Sequence, residues 1–325
     1  MRRDRPAREL DDEQQVKILL TGGSGFLGGY CSIELRSRGH QVLTTDRRGS
    51  VDYVGDLADG RFCSTLPEAD AVVHAAAVQY VSADLPLIGR QAFFRHNNIE
   101  ATRQLCARYS GMATHFVYIG TSMMYSQCGA EIYRIDSPMI GQGVYSRSKL
   151  AAQAFVDALP NRRATIIPCI IGGIGREGLF RSFVETMQER RLVIFPGKGR
   201  HKIGMVHAKD VASLVGSVVD GGRTGFFNAA AQAPLSIEEW IDEICSELSL
   251  PPVRRIRLPL PPIHVLSALT GYRLLAREQL LMLAQPHVLD IEKSLEIGWQ
   301  PRFDNAAIVR EIARYIGGRE TRRRT

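Results

Sequence analysis

The sequence predicts an α/β fold in which a doubly wound parallel sheet carries a smaller mixed lobe. Two observations predict it. Up to residue 171, short apolar runs typical of buried strands alternate with helical patterns of a dozen or more residues, and this alternation implies βαβ units with helices on both faces of the sheet. After residue 172 the alternation weakens and prolines become frequent, most clearly over residues 251–262, which indicates a less regular lobe.

The individual elements follow from their apolar patterns. The predicted strands cover residues 16–21, 41–45, 71–75, 114–120 and 164–171. The predicted helices run from residue 26 to about 38, from about 90 to 109 and from 144 to about 158. In the second half, Ser236 and Glu239 have the spacing of a capping box and predict an amphipathic helix over residues 236–248.

The charge distribution argues against a nucleic-acid partner. The chain of 325 residues has a formal net charge of +7. Residues 1–9 hold four arginines against two acidic residues, and residues 319–325 hold four arginines against one glutamate, so the body is nearly balanced. Because short charged ends are typically unstructured, residues 1–15 and 317–325 are predicted to be disordered basic tails.

The cysteines and apolar runs indicate a reduced, cytoplasmic protein. The six cysteines are scattered and form no C-x-x-C pair, so neither a zinc site nor a disulfide framework is expected, and no metal is predicted. No apolar run reaches the roughly 18 residues of a membrane span. The charged N-terminus has no apolar h-region and is therefore not expected to be a signal peptide.

A glycine-rich turn is the strongest local signal. Residues 22–28 have the pattern G-x-x-G-x-x-G, directly after a predicted strand and directly before a predicted helix. Gly22 and Gly25 allow a tight turn and a close approach to a pyrophosphate, and Gly28 allows the helix to pack against the sheet. The helix N-terminus, with Phe26 and Leu27, supplies free N–H groups and a positive dipole end. This context predicts a Rossmann-type dinucleotide-binding domain.

The end of the second strand bears on the choice of dinucleotide. Asp46 follows Gly28 by eighteen residues and can accept hydrogen bonds from the adenosine ribose, which favours NAD. Arg47 and Arg48 follow and could instead hold a 2′-phosphate, so NADP stays possible. The predicted NAD(P)-binding domain comprises residues 16–171 with 205–230, and the substrate-binding lobe comprises 172–204 with 231–316.

Tyr145 and Lys149 have a Y-x-x-x-K spacing at the start of a predicted helix. Residues four apart lie on one helical face, so the ammonium can approach the phenol and lower its pKa from about 10. The helix follows a strand that ends near Thr121 and Ser122. Strand ends of an open parallel sheet are where ligands bind.

With these motifs, the chain resembles the extended short-chain dehydrogenase/reductases over about residues 16–316. That group includes nucleotide-sugar epimerases and dehydratases and the 3β-hydroxysteroid dehydrogenases. Further matching segments lie at residues 206–210 and 297–301. The resemblance implies that the cofactor pocket also includes the following residues: Asp56, Leu57, Ala75, Ala76, Ala77, Asn98 and Pro168.

The resemblance also implies catalytic roles. Tyr145 is expected to be the acid/base, Lys149 to bind the nicotinamide ribose, and Thr121 to hydrogen-bond the reacting oxygen, with Ser122 as the less favoured candidate. The implied reaction is hydride transfer between a carbinol carbon and the nicotinamide. His74 is expected in the wall of the cofactor pocket, His207 in a packing role, and Asp210 as the N-cap of a helix near Val211.

Several positions depart from the nucleotide-sugar members. Ile203 stands where those members usually carry an arginine for the pyrophosphate, the expected V-Y-G-P is replaced over residues 170–173, and Ser126 replaces a glycine. Basic residues that could compensate are Arg176, Arg181, Lys198, Arg200 and Lys202. The apolar segment 258–275 resembles the steroid-dehydrogenase region, where it would line a hydrophobic pocket or cover a membrane-facing entrance, or it could be ordinary lobe core.

Three functions therefore stand side by side. The first is net oxidation or reduction of a secondary alcohol or ketone on a small-molecule substrate, for which a hydrophobic body is considered. The second is epimerisation or dehydration of a nucleotide sugar with recycled NAD. The third is a regulatory protein that senses NAD(P) without turnover. By analogy with the family, the helices at residues 90–109 and 144–158 are expected to form a homodimer.

Overall fold

The computed structural model describes residues 15–80, 82, 84–176, 178–269 and 276–324. Its strands are β1 (Lys17–Thr21), β2 (Gln41–Asp46), β3 (Tyr53–Val54), β4 (Ala71–His74), β5 (His115–Ile119), β6 (Arg163–Pro168), β7 (Ile170–Gly172), β8 (Leu192–Pro196), β9 (Met205–His207), β10 (Gly225–Ala229) and β11 (Arg254–Leu258). Its α-helices are α1 (Phe26–Ser37), α2 (Gly60–Thr65), α3 (Arg90–Phe94), α4 (Ala101–Tyr109), α5 (Val144–Asp157), α6 (Gly178–Arg190), α7 (Ala208–Asp220), α8 (Ile237–Glu247), α9 (Leu260–Leu269), α10 (Arg277–Ala284), α11 (Glu292–Glu296) and α12 (Asn305–Arg324).

Seven strands form one sheet in the order β10-β6-β5-β4-β1-β2-β3, and every pair in it is parallel. The chain order reverses between β1 and β4, whose last residues, Thr21 and His74, are register partners. Ligands of open parallel sheets bind outside the carboxyl ends of strands at such a reversal. The predicted fold class, a Rossmann-type doubly wound sheet, is confirmed.

Helices cover both faces of the sheet. On one face, α1 and α7 pack through residues such as Leu35 and Val215, and on the other, α4 and α5 pack through Leu105 and Val156. A further core around Trp240 joins α6, α8 and α12. These three helices come from the segments for which the substrate lobe was predicted. The predicted helix with the Ser236–Glu239 capping box is present as α8.

Two predictions about local structure were wrong, and one strand was not predicted. Residues 164–171 do not form one strand: β6 ends at Pro168, which has no N–H to donate, and β7 pairs with β9 outside the large sheet. The helix over 90–109 is not uniformly α, since a π-helical segment, Arg95–Glu100, lies between α3 and α4. The short strand β3, which adds to the edge of the sheet beside β2, was not predicted.

The start of α7 and the end of α12 also differ from prediction. The helix α7 begins at Ala208, so His207 is its N-cap and accepts a hydrogen bond from Lys209 N at 3.0 Å. Asp210 instead accepts hydrogen bonds from the backbone N–H groups of Arg302 and Phe303. The helix α12 extends to Arg324 through a segment predicted to be disordered, because no proline interrupts its helical pattern. Residues 1–14 lie outside the described residues.

No helix within the described residues combines the length and the apolarity needed to cross a membrane.

Candidate active site

A cavity of about 470 Å³ lies at the carboxyl ends of β1, β4, β5 and β6 and continues toward the helices of the second lobe. Most residues predicted for the cofactor and for catalysis line it together: Gly22, Gly25, Phe26, Leu27, Gly28, Asp46, Arg47, Asp56, Leu57, Ala75, Ala76, Ala77, Thr121, Tyr145, Lys149 and Pro168. These residues are up to about 150 positions apart in the chain. The strand order of the sheet brings them to one place.

The glycine turn has the geometry that a phosphate-binding turn requires. Gly22 has a φ of +72°, and a Cβ at this position would lie 2.8 Å from the backbone of Ala76. A Cβ on Gly28 would lie 1.9 Å from the carbonyl oxygen of Gly22. The turn is therefore a cradle that side chains would fill, and it leaves the first N–H groups of α1 open toward the cavity.

His74 supports this turn from behind and does not line the cavity, which corrects the expectation that it forms the pocket wall. Its Nδ1 is 2.7 Å from the hydroxyl of Thr21, which accepts a hydrogen bond from Ala76 N, and its Nε2 is 2.9 Å from the hydroxyl of Thr102. Burial lowers the pKa of His74 to about 3. The imidazole is therefore neutral, with Nδ1 accepting and Nε2–H donating.

Asp46 faces the cavity at the end of β2. Its carboxylate accepts hydrogen bonds from the hydroxyl of Ser24 at 2.6 Å and from the backbone N–H groups of Ser24 and Arg47. The Arg47 guanidinium pairs with Asp84 at 2.8 Å. The acidic group is thus held at the cavity, while the neighbouring cation already has an anionic partner.

The structure places Asn98 behind the cavity wall. Its side chain accepts a hydrogen bond from Val78 N and donates to Val78 O and to the hydroxyl of Ser148. The residue that lines the cavity is its neighbour Asn97. Both lie in the π-helical segment, where each turn holds an extra residue, so α-helical spacing does not predict which side chain faces the cavity.

The three predicted catalytic residues lie together at the centre of the cavity. Tyr145 and Lys149 are buried in the first turns of α5, and the hydroxyl of Thr121, which follows β5, is near enough to the phenol of Tyr145 to lower the pKa of that phenol. Burial raises the pKa of Tyr145 to about 12, although the charge of Arg176 and the hydrogen bond from Thr121 oppose this rise. Tyr145 is therefore protonated at neutral pH.

Lys149 is held away from solvent by an aromatic ring. Its ammonium lies 4.1 Å from the centre of the Tyr118 ring, within the range of a cation–π contact. Burial lowers the pKa of Lys149 to about 7. Lys149 is therefore about half protonated at pH 7, and its neutral form can hydrogen-bond a ligand without a buried charge.

Ser122, the second candidate for the hydroxyl role, also lines the cavity, but its hydroxyl is 2.8 Å from Nε2 of the buried His287. Burial lowers the pKa of His287 to about 4, so this ring is neutral. The Thr121 hydroxyl, in contrast, accepts a hydrogen bond from Met123 N and reaches Tyr145. Of the two hydroxyls, that of Thr121 is the one that influences the acid/base, since it lowers the pKa of Tyr145.

The far end of the cavity was not predicted from the sequence. Its walls come from the second lobe and from the loops after β5 and β7, and they are mostly apolar: Met123, Phe180, Met205, Trp240, Gln279, Met282, Leu283 and Ile312. No motif marks these residues, because each faces the cavity through helical or strand periodicity that core residues share. Among the described lining residues of this end, no carboxylate and no histidine occurs.

Of the basic residues considered as phosphate partners, Arg176 lines this cavity. Lys202 pairs with Glu239 at 2.6 Å, and Arg181 pairs with Glu185 at 3.3 Å along α6. Ile203, which stands at the usual arginine position, is buried in the core of the second lobe. The structure therefore offers one of these cations to a ligand in the cavity.

The described part of the apolar segment 258–275 lies beside the cavity and does not line it. Leu258 and Leu260 line a neighbouring cavity of about 460 Å³, together with Lys198 and His201, and the two cavities share Leu283. Residues 270–275 lie outside the described residues. The roles considered for this segment, a hydrophobic pocket lining, a cover for an entrance and ordinary lobe core, stay predictions.

No group of three or more histidine, cysteine or acidic side chains within the described residues could hold a metal ion.

Comparisons with known proteins show what the chain is similar to. The dTDP-D-glucose 4,6-dehydratase of Mus musculus is 24% identical over 262 residues, which cover 70% of this chain and 72% of the relative. The 3-beta-hydroxysteroid dehydrogenase of Mycolicibacterium neoaurum is 26% identical over 207 residues, which cover 58% and 56%. The Bordetella bronchiseptica enzyme WbmG in complex with NAD shares the fold, with a TM-score of 0.75 at 18% identity over 94% of this chain and 95% of WbmG.

A family profile decides the assignment. The profile of the NAD dependent epimerase/dehydratase family matches residues 18–228, from β1 to β10. That match covers more than half of the chain and includes the glycine turn, Thr121, Tyr145 and Lys149. The protein therefore belongs to the NAD dependent epimerase/dehydratase family and is an enzyme of the extended short-chain dehydrogenase/reductase type.

Proposed function

We propose that this enzyme catalyses net, NAD-dependent hydride transfer at a secondary alcohol or ketone of a largely apolar substrate, with Tyr145 as the acid/base. The observation that carries the proposal is the meeting of Thr121, Tyr145 and Lys149 in the cavity that also contains the glycine turn. An acid/base hydrogen-bonded to a hydroxyl, beside a dinucleotide cradle, is the arrangement that hydride transfer at a carbinol needs.

The residues present fit a dinucleotide. The open N–H groups at the start of α1 would hold the pyrophosphate, Asp46 the adenosine ribose, and Lys149 the ribose next to the nicotinamide. When bound, the nicotinamide supplies the hydride acceptor or donor. The 2′-phosphate of NADP would lie beside the Asp46 carboxylate, and the two negative charges would repel each other. NAD is therefore the proposed cofactor.

Tyr145 and Thr121 would handle the substrate oxygen. The hydroxyl of Thr121 orients this oxygen toward the Tyr145 phenol. In reduction, Tyr145 gives its proton to the oxygen as the hydride arrives at carbon, and in oxidation it removes the carbinol proton. Because burial raises the pKa of Tyr145 to about 12, the resting enzyme holds the proton that reduction requires, whereas oxidation requires nearby cations to stabilise the phenolate.

A nucleotide-sugar epimerase or dehydratase with recycled NAD is the second candidate. The relatives favour it, since one is a dTDP-D-glucose 4,6-dehydratase and WbmG was solved with NAD and UDP. Dehydration, however, requires an additional acid and base to remove and protonate groups next to the ketone. The described walls of the substrate end offer neither a carboxylate nor a histidine for that step, which favours net redox chemistry. The third candidate, an NAD(P)-sensing protein without turnover, is less favoured because it would not need Thr121, Tyr145 and Lys149 together in the cavity.

Whether the purified protein retains a dinucleotide distinguishes the net oxidoreductase from the epimerase or dehydratase. After gel filtration and denaturation, we expect no released dinucleotide, and we expect added NAD(H) to bind reversibly. Stoichiometric NAD in the denatured supernatant would instead favour the epimerase or dehydratase and would make UDP- and dTDP-sugars the first substrates to test. Tyr145→Phe should abolish turnover and retain NAD(H) affinity; turnover that survives this substitution would contradict the catalytic assignment.

We also propose a cytoplasmic homodimer, formed through α4 and α5 by analogy with the family. Light scattering on the purified protein tests the dimer, for which a mass near twice 36.1 kDa is expected.

A further inference from the structure

A glycine-shaped loop after β7 delivers Arg176 into the cavity. Gly173 and Gly175 have φ values of +138° and +96°, which other residues rarely adopt. Arg176 N closes the turn by donating to the carbonyl oxygen of Gly173 at 3.1 Å, and the hydroxyl of Tyr30 donates to the carbonyl oxygen of Ile174. One hydrogen bond within the loop and one from Tyr30 therefore fix its backbone conformation. The fixed backbone orients the side chain of Arg176.

The Arg176 side chain crosses from this loop toward the Rossmann domain. Its Cζ atom is 5.7 Å from the centre of the Phe26 ring, and one guanidinium nitrogen donates to the amide oxygen of Gln79 at 2.5 Å. Among the described residues it has no carboxylate partner. Its charge also reaches the phenol of Tyr145 and opposes the rise of that group's pKa. Arg176 is thus a largely desolvated cation beside the acid/base, and within the described part of the chain most of its five N–H donors have no hydrogen-bond acceptor.

A buried cation without an anion costs free energy unless a ligand supplies the missing partner. The cavity that Arg176 lines also has apolar walls at its substrate end, with Phe180, Met205 and Trp240 among them. A planar fork of donors in such surroundings is suited to two oxygens of a carboxylate or a phosphate, which it binds with paired hydrogen bonds.

We propose that Arg176 is the anion-recognition residue of the substrate site and that the substrate carries a carboxylate or phosphate group near its reacting carbinol, on an otherwise apolar body. This inference rests on the proposed function and names its substrate class. The pyrophosphate of the cofactor is the other possible source of the anion. The N–H groups at the start of α1 already serve that pyrophosphate, whereas no other cation from the described walls lies at the substrate end.

A matched pair of ketones tests the proposal without requiring turnover. The NAD⁺-loaded protein, which cannot reduce a ketone, is titrated calorimetrically with 4-oxooctanoate and with methyl 4-oxooctanoate, which differ in one negative charge. The wild type should bind the acid at least about ten-fold more tightly, the effect of one charge-assisted hydrogen-bonded pair. Arg176→Leu should bring the two affinities to within about two-fold, and Arg176→Lys should leave an intermediate preference because a point charge replaces the fork.

Arg181→Leu is the matched control, because Arg181 lies one helical turn further along α6, outside the cavity lining, and pairs with Glu185. This variant should keep the preference for the acid. Equal binding of acid and ester by the wild type, or no binding of either, would overturn the proposal. A preserved preference in Arg176→Leu together with an NAD⁺ affinity about ten-fold weaker would also overturn it and would assign Arg176 to the cofactor's pyrophosphate. Surviving turnover in Tyr145→Phe would contradict the proposed function alone.

Discussion

Gly28 lies so close to Gly22 that a Cβ on Gly28 would be 1.9 Å from the carbonyl oxygen of Gly22, whereas a Cβ on the adjacent Gly29 would meet nothing within 4 Å. Both glycines lie in the first turns of α1. The contact between the helix and the turn is therefore a property of one position. A methyl group is therefore excluded at Gly28, beside the turn expected to bind the pyrophosphate, and is tolerated at Gly29.

Gly28→Ala should weaken NAD binding by about 100-fold or more, because the turn must open to admit the methyl group and the N–H groups lose their alignment. Gly29→Ala should retain NAD binding and stabilise the protein by about 0.5–1 kcal/mol, since alanine is the better helix former. Calorimetric titration with NAD and thermal unfolding measure the two effects. Equal NAD affinities in both variants would show that the close contact at Gly28 is irrelevant to the cofactor.

The proximity of the Thr121 hydroxyl to the Tyr145 phenol predicts different outcomes for two substitutions of the threonine. Thr121→Val keeps the shape but removes the hydroxyl, and should lower kcat/KM by about 10²-fold, with NAD affinity little changed. Thr121→Ser keeps the hydroxyl and should retain most of the activity. The comparison is made by steady-state kinetics at fixed NAD(H). If valine and serine behave alike, the hydroxyl does not act on the substrate oxygen.

Asp46 predicts a preference for NAD over NADP. The wild type should bind NAD at least about ten-fold more tightly, because the 2′-phosphate would meet the carboxylate. Asp46→Asn should reduce this preference, chiefly by improving NADP binding. Arg47→Ala serves as a control and should change the ratio less, since Arg47 is engaged by Asp84. Calorimetric titration with each dinucleotide gives the ratio of the NAD and NADP affinities. Tighter binding of NADP to the wild type would contradict the assignment of NAD as the cofactor.

The buried amine of Lys149 is expected to lower the stability of the apo protein, although the proposed function needs this amine. Burial lowers its pKa from 10.5 in water to about 7, so the unfolded chain binds more protons than the folded chain between these values. The apo protein should therefore gain stability as the pH rises from about 7 toward 10. Lys149→Met should abolish activity and stabilise the apo protein at pH 6.5 by an amount on the order of 2 kcal/mol.

The gain from Lys149→Met should shrink at pH 9.5, where the folded wild type carries a neutral amine. Thermal unfolding of both proteins at the two pH values tests this. A variant less stable than the wild type at both pH values would mean that the contact of the ammonium with Tyr118 outweighs its desolvation.

Local motifs allowed much of the cofactor site to be predicted. The glycine turn, the Y-x-x-x-K spacing and the Ser236–Glu239 capping box each need only neighbours within a few residues, so their physical logic is visible in the chain. Asn98 shows the limit of this reasoning. It was chosen by position in a motif, but the π-helical segment shifts the helical phase and Asn97 lines the cavity. The end of β6 was also predicted wrongly. The apolar pattern continues past Pro168, but the strand ends there because proline has no N–H to donate to a neighbouring strand.

The sequence by itself determined the parallel doubly wound sheet, the glycine turn and the shared helical face of Tyr145 and Lys149, because periodicity and short motifs encode local geometry directly. Only the tertiary structure decided what surrounds the reacting carbon. Arg176 and Trp240 belong to elements far from Tyr145 in the chain, and their convergence depends on how the second lobe packs against the carboxyl ends of the strands. The burial of Tyr145, which raises its pKa, and the absence of a carboxylate partner for Arg176 among the described residues arise only from that packing.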